Sequence, residues 1–303
     1  MTTDSVPTDA LRQQVEAHMG KKAVAWKRPE CGLTQAQRFV VKFADGSGVF
    51  VKAAVDDQTQ QWLQVDHLVM SSVGAAWAPQ VLGWIQGEAG HSILLIEDLG
   101  AAHWPADQWP VNWRAGQMDI LLDALQHLAA VRAPQGLPVA SGSSALWRQI
   151  EANPDAFLQL DLCSRPWFDR ALEALVQAEE TIDIGGDRLV HNDVRSDNLC
   201  FLGQRLVLVD WSQAFAGHAD FDRAAVLPGL HLEGGPEPYD KMPEGGGWAA
   251  RGSAIMAQRA LDEAATRPEW LIDVLRRLAA INLTWAARCL ELPAPDGVDW
   301  HQI

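Results

Sequence analysis

Long hydrophobic runs are missing from this 303-residue chain. The longest, "SILLIE" and "RLVLVDW", fall far short of the roughly 20 apolar residues that a membrane-spanning helix needs, so no transmembrane segment is expected. The opening "MTTDSVPTDALRQQVEAHMG" has neither a basic start nor an apolar centre, which excludes a secretory signal and predicts a cytoplasmic protein. Cysteine is scarce and scattered: Cys31, Cys163, Cys200 and Cys289 form no C-x-x-C pair, so neither a disulfide framework nor a zinc site is expected and all four read as reduced packing residues. Basic charge is also short. Lys and Arg number 24 against 39 Asp and Glu, a net charge of −15, and no local basic patch offsets it; nucleic acid and anionic membrane are thereby excluded as partners, while a cationic small molecule stays open. There is no internal repeat and no low-complexity block.

What is present is a globular composition, 48% hydrophobic and 21% charged, on a chain long enough for one large domain or two moderate ones. Its texture changes near residue 100. "AVAWKRPE", "QRFVVKFA" and "GVFVKAAV" alternate as short strands, the last two joined by the hairpin signal "DGSG", and a three-strand antiparallel meander is expected. "DDQTQQWLQVDHLVMSSVG" carries Trp62, Val65, Leu68 and Val69 at helical spacing and ends at Gly74; "APQVLGWIQ" and "HSILLIEDL" return to strand. Beyond "EDLGAAHWPADQWP" the pattern is helical in "NWRAGQMDILLDALQHLAAVRA", "PWFDRALEALVQAEETI" and "PEWLIDVLRRLAAINLTWAARCLEL". A boundary at Leu99 to Gly100 is expected, with domains 1–99 and 100–303.

One strand-rich island interrupts the helical part, "RLVHNDVRSDNLCFLGQRLVLVDW" at residues 188–211. "NLCFL" and "RLVLVD" flank Gly203-Gln204, which suits a two-residue type II′ turn. Pairing about that turn brings Asn198 and Asp210 opposite one another to within one residue, so an amide oxygen and a carboxylate converge at the open end of a hairpin. Hard oxygen ligands of this kind suit Mg²⁺ with water and substrate phosphate on its other positions. Asp193, in the loop entering the hairpin, is placed to orient and deprotonate an attacking hydroxyl.

The spacing His191-x-Asp193-x4-Asn198 followed by Asp210 matches the catalytic-loop and metal-binding pattern of the protein-kinase-like fold. In the form "HNDVRSDN…LVDW", with Trp211-Ser212 where protein kinases carry Phe-Gly, it resembles the aminoglycoside phosphotransferase and choline kinase family. "GHADFD", with Gly217 and Asp222, is similar to that family's G-x4-D element. The resemblance runs from about Lys22 to the last helix. It implies an α+β, two-lobed kinase-like fold, with a small antiparallel-sheet N-lobe that binds nucleotide and a mainly helical C-lobe that binds substrate. It also implies Asp193 as catalytic base, Asn198 and Asp210 as Mg²⁺ ligands, and His191 and Asp222 as supports of the catalytic loop. Arg195 stands where related kinases place a Lys or His, and is read either as balancing charge on the moving phosphoryl group or as a solvent partner of Asp197.

The same resemblance asks for a phosphate-binding Lys on the third strand, which is Lys52 in "GVFVKAA", with Lys42 before the "DGSG" turn as its rival. The helix position that pairs with this Lys holds Asp66, shorter than the family's Glu, which puts the ion pair in question. No G-x-G-x-x-G is present, and "PECGLTQAQ" with Gly32 would have to cover the phosphates. Glu97, Asp98 and Leu99 in "LLIEDLG" fall at the nucleotide hinge. The implied activity is transfer of the γ-phosphate of Mg-bound ATP or GTP to a hydroxyl of a small polar molecule such as an aminoglycoside, amino sugar or amino alcohol.

Acceptor identity is not written in a motif. "LHLEGGPEPYDKMPEGGGW" holds Glu233, Glu237, Asp240 and Glu244 against Lys241. It reads either as a flexible acidic loop favouring cationic acceptors or as a solvated excursion. Two other functional classes fit parts of the sequence. His191-x-Asp193 with His218-x-Asp220 would suit a metallohydrolase, and Asp66 with the Gly-poor loop would suit a nucleotide-binding regulatory module without transfer activity.

Overall fold

Phe39, Val41 and Phe43 alternate with more exposed residues, as do Val49, Val51 and Ala53, and period-two alternation buries one face of a pleated strand. The structure, a computed structural model, describes residues 6–29, 36–87, 90–107, 110–142 and 145–303. Its first elements are helix α1 (Asp9–Met19), strands β1 (Ala23–Lys27), β2 (Gln37–Phe43) and β3 (Gly48–Ala53), helix α2 (Asp57–Val73), and strands β4 (Val81–Gln86) and β5 (Ser92–Glu97). The five strands form one sheet in the order β1-β2-β3-β5-β4, antiparallel throughout. Leu11 and Val15 of α1 close the core on the face carrying Phe39, Val41, Val49, Val51, Ile93 and Leu95. Lys52, one residue on from Val51, therefore points to the opposite face.

On α2 the buried stripe is Thr59, Leu63, Asp66, Val69 and Met70, spaced at i, i+4, i+7 and i+10/i+11. It is rotated by about one residue from the expected one: Trp62, Val65 and Leu68 are only half-buried. The helix turns this way because a carboxylate, Asp66, sits within the apolar stripe and has a partner on the sheet. Asp56 fixes the start of α2 by a reciprocal cap with Thr59.

The chain continues through helices α3 (Gln117–Leu128), α4 (Leu146–Ala152), α5 (Pro154–Leu158) and α6 (Arg165–Glu180), strands β6 (Arg188–Val190), β7 (Leu199–Leu202), β8 (Arg205–Leu208) and β9 (Phe215–Gly217), and helices α7 (Phe221–Leu232), α8 (Pro238–Lys241), α9 (Gly246–Glu263) and α10 (Glu269–Cys289). The glycine- and proline-rich segment expected as a loop thus runs from the end of α7 to the start of α9 with the one-turn helix α8 between them. Its glycines serve close packing: a Cβ on Gly245 would lie 2.2 Å from the Trp285 ring and one on Gly247 2.4 Å from Ile182. Glu237 and Asp240 are engaged by Arg288 at 2.6 and 3.6 Å, which removes much of the free acidity that segment was expected to offer. The short N-terminal helix α1, and α7 with Pro228 and Gly229 inside it, also go unannounced by apolar periodicity.

Two compact units result. A sheet-bearing unit comprises Met1–Ala124, Pro134–Pro138 and His191–Phe215; a helical unit comprises Leu125–Ala133, Val139–Val190 and Ala216–Ile303. The stretch with the catalytic-loop spacing thus groups with the sheet. Among the described residues no helix is long and apolar enough to cross a membrane. Cys163, Cys200 and Cys289 are free thiols; burial, the main cause, pushes them up to about 12, 12 and 11, so they are inert. Cys31 and Gly32, with most of the loop expected to cover the phosphates, lie outside the described residues.

Candidate active site

The hairpin sets the geometry. Gly203 has φ +62° while Gln204 is absent from the positive-φ residues, the pattern of a type II′ turn. The turn fixes Leu202 opposite Arg205 and Leu199 opposite Leu208, and the Val209 N–H donates to the Asn198 carbonyl at 2.9 Å. Asn198 and Asp210 therefore leave the open end one residue out of register. Asp210 (φ 63°) and Asn192 (φ 69°) both hold left-handed backbone, which Asp and Asn tolerate better than other side chains and which clusters at functional loops.

Asn198 is buried and spends its amide N–H groups on Asp193, donating to the carbonyl at 3.0 Å and to Oδ2 at 2.8 Å. Among the described residues its amide oxygen accepts no hydrogen bond. Burial pushes the Asp193 carboxyl up, against the opposing pull of Arg195 and the Asn198 amide. Arg195 forks onto Asp197, Nε to Oδ1 at 3.0 Å and Nη2 to Oδ2 at 3.2 Å, and its Nη1 also stands 3.5 Å from Asp193 Oδ1. Arg195 thus makes the solvent pair with Asp197 and a longer contact to the Asp193 carboxylate.

Lys52 joins the sheet to the hairpin end. Its Nζ lies 2.6 Å from Asp66 Oδ2 and 3.4 Å from Asp210 Oδ1, with Lys52 and Asp66 7% and 2% exposed. The shorter carboxylate at position 66 does reach its Lys. Burial works against the Lys52 charge, but Asp66 and Asp210 together outweigh it and hold the amine above its ordinary range. Lys52 in turn is the main cause that holds the Asp210 carboxyl below its ordinary range, so Asp210 is ionised. Lys42 is half exposed and pairs with Asp98 instead. An ionised carboxylate and an amide oxygen are hard donors, and Asn198 with Asp210 fit a Mg²⁺ ion that keeps its other positions for water and phosphate.

His191 is fully buried against Trp211, with ring centroids 4.4 Å apart. Nδ1 accepts the Asp193 N–H at 3.3 Å, so the proton is on Nε2, which donates to the Val209 carbonyl at 3.0 Å. Burial lowers this ring to about 4, leaving it neutral at pH 7. Both nitrogens are occupied by backbone, and among the described residues no three His, Cys, Asp or Glu side chains could hold a metal together. The metallohydrolase reading, which needs a free ring nitrogen on His191, thus finds no support in this geometry. Asp222 is buried in the first turn of α7, in the helical unit.

At the end of β5, Leu99 is buried beside Cys200 and Val207, and among the described residues nothing accepts its backbone N–H. Asp98 accepts the Gly100 N–H at 3.0 Å and pairs with Lys42, so its side chain is committed locally. The Glu97 side chain is also committed. Arg205 grips it with two bonds of 2.9 Å and donates further to the carbonyls of Ala75 at 2.9 Å and Ala78 at 3.0 Å. This clamp ties the hairpin carrying Asn198 and Asp210 to the end of β5. Sequence reasoning passes over Arg205 because an Arg beside a hairpin turn reads as a solvent-facing charge.

The sequence profile described as the phosphotransferase enzyme family matches residues 30–261. No curated protein matches the sequence. Among solved structures, a spectinomycin phosphotransferase in complex with ADP and spectinomycin superposes with a TM-score of 0.57 at 14% identity, over 95% of this chain and 94% of its own. A macrolide 2′-phosphotransferase from Brachybacterium faecium gives 0.54 at 17% identity, over 89% and 97%. A thermostable mutant of an aminoglycoside phosphotransferase, in ternary complex with ADP and hygromycin B, gives 0.53 at 15% identity, over 95% and 100%. At such identities the likeness establishes the fold: a kinase-like architecture with an antiparallel-sheet N-lobe and a helical C-lobe.

Proposed function

Because the chain belongs to the phosphotransferase enzyme family, we propose that it moves the γ-phosphoryl group of ATP, or of GTP, onto a hydroxyl of a small polar molecule in the cytoplasm. The observation that carries the proposal is the meeting of three separate segments: Lys52 from the sheet, Asp66 from α2 and Asp210 from the hairpin end, all within 3.4 Å of one ammonium. In this reading residues 1–99 hold nucleotide, with Lys52 anchoring phosphate, Asp66 positioning Lys52, and Glu97 to Leu99 lining adenine through backbone. Residues 100–303 supply catalysis and the acceptor pocket. Asn198 and Asp210 would hold Mg²⁺, which neutralises phosphate charge when bound.

Asp193 takes the proton of the acceptor hydroxyl as its oxygen forms the new bond to the γ-phosphorus. The bond from that phosphorus to the bridging oxygen breaks, and ADP leaves. Asn198 steadies the Asp193 carboxylate for this, and Arg195 at 3.5 Å offers positive charge beside it. Little covalent chemistry is asked of the protein; its contribution is positioning.

The solved relatives named for spectinomycin, hygromycin B and macrolides favour aminoglycosides, amino sugars and amino alcohols as the first acceptors to try. The test is an ADP-release screen with Mg-ATP over these classes, hydroxy amino acids and neutral sugars, with mass detection of a phosphorylated product. A product dependent on Asp193 supports transfer. ATP binding with no product on any acceptor would favour the regulatory module instead.

A further inference from the structure

The helical unit contains a cation that, among the described residues, touches no carboxylate. Arg251, on α9, has a buried Nε with no hydrogen-bond partner, and among the described residues it forms no ion pair. Other arginines of this unit take carboxylates: Arg148 takes Glu180, Arg259 takes Glu263, and Arg288 takes Glu237. Glu179 is the acid whose field reaches Arg251, but its oxygens cap the start of α4 by accepting the Leu146 N–H at 3.1 Å and the Trp147 N–H at 2.8 Å. The Arg251 guanidinium instead lies 5.6 Å from the Phe221 ring centroid. Trp248, one turn back on α9, packs edge to face on the same Phe221 ring at 5.8 Å.

Burying a guanidinium donor without an acceptor is costly, and an aromatic face offers no acceptor for Nε. The planar fork matches an oxyanion with two oxygens to offer. We propose that Arg251, with Phe221 and Trp248 beside it, is a binding site for the anionic group of a small molecule, a carboxylate or a phosphate monoester. The aromatic neighbours suit a ligand whose anion is carried on an apolar or ring-shaped body. The site stands on the helical unit alone and does not depend on phosphoryl transfer.

Calorimetric titration of the full chain without nucleotide, at constant ionic strength, tests it with three probes: benzoate, phenyl phosphate, and phenol as the uncharged control. Saturable one-site binding of benzoate or phenyl phosphate is expected, at least tenfold weaker in Arg251→Gln and at least threefold weaker in Arg251→Lys, with no binding of phenol. The Lys variant keeps the charge and loses the fork, so it serves even if the Gln variant folds poorly. Absence of binding to both anions in the wild-type chain overturns the proposal, as does wild-type affinity in both variants. A third result also overturns it: no anion binding, with stability lost in Arg251→Gln and restored by adding Glu179→Gln, which would make Arg251 a counter-charge for Glu179. Whichever anion binds more tightly identifies the group.

Discussion

Replacing Arg205 by Ala removes four hydrogen bonds in one step: two to Glu97 and one each to the carbonyls of Ala75 and Ala78. The Arg205 and Glu97 side chains are 30% and 25% exposed, so water screens the pair. It behaves as a well-formed surface ion pair, worth about 1 kcal/mol, rather than as a buried one. Each backbone carbonyl that loses its donor adds about 0.5–1 kcal/mol. Arg205→Ala should therefore destabilise the sheet-bearing unit by about 2–3 kcal/mol, Glu97→Gln by about 1 kcal/mol, and Arg205→Lys by an intermediate amount because the fork is lost. Urea denaturation at pH 7 reads these differences. Arg205 is the main cause that holds the Glu97 carboxyl low, so this ion pair stabilises the fold above the ordinary carboxylate range and fades as pH falls through the lowered value. The wild-type advantage over Arg205→Ala should accordingly shrink only at acid pH. A loss below about 0.5 kcal/mol in Arg205→Ala would refute the clamp, because it would fall within the range of an ordinary surface substitution.

Three further outcomes follow from the geometry. Lys52→Ala should raise the KM for ATP at least tenfold while Lys42→Ala stays within twofold of wild type, because only Lys52 is buried between Asp66 and Asp210; steady-state kinetics decides, and reversed effects would mean the wrong strand was chosen. His191 is buried neutral and lowered to about 4, whereas the unfolded chain takes up a proton near 6.5. Stability should thus be full above pH 6.5 and fall by up to about 3 kcal/mol toward pH 4, a loss that His191→Gln should largely abolish in denaturant titrations at pH 7 and 4.5. Burial raises the Asp193 carboxyl and Arg195 opposes that, so the acid limb of the pH–rate profile should move to higher pH in Arg195→Ala; an unmoved limb would reduce Arg195 to a partner of Asp197.

Much of the site is local in sequence, and that is why it is legible there. Gly203 dictates the turn, the turn dictates the register, and the register carries Asn198 and Asp210 to one end of the hairpin. Lys52 is separable from Lys42 by strand order alone. What escapes is packing between distant segments. Asp66 meets Lys52 because α2 rolls to bury it, a rotation that apolar spacing around Trp62 does not announce. The "EGGGW" glycines read as flexible, yet they admit Trp285 and Ile182 against the start of α9. The Glu97 to Arg205 clamp and the solitary Arg251 have no spacing rule, since each depends on which partner the fold brings near or withholds.

The most direct test of the central claim is the Asp193→Ala chain, assayed for turnover on the best acceptor and titrated with Mg-ATP in the same buffer. Turnover should fall by about three orders of magnitude or more, with ATP affinity within about threefold of wild type, because Asp193 acts on the acceptor hydroxyl and not on the nucleotide. Asp210→Asn should show the converse, losing Mg²⁺-dependent ATP affinity. Turnover retained within tenfold in Asp193→Ala, or ATP affinity lost in step with it, would contradict the assignment of Asp193 as the base.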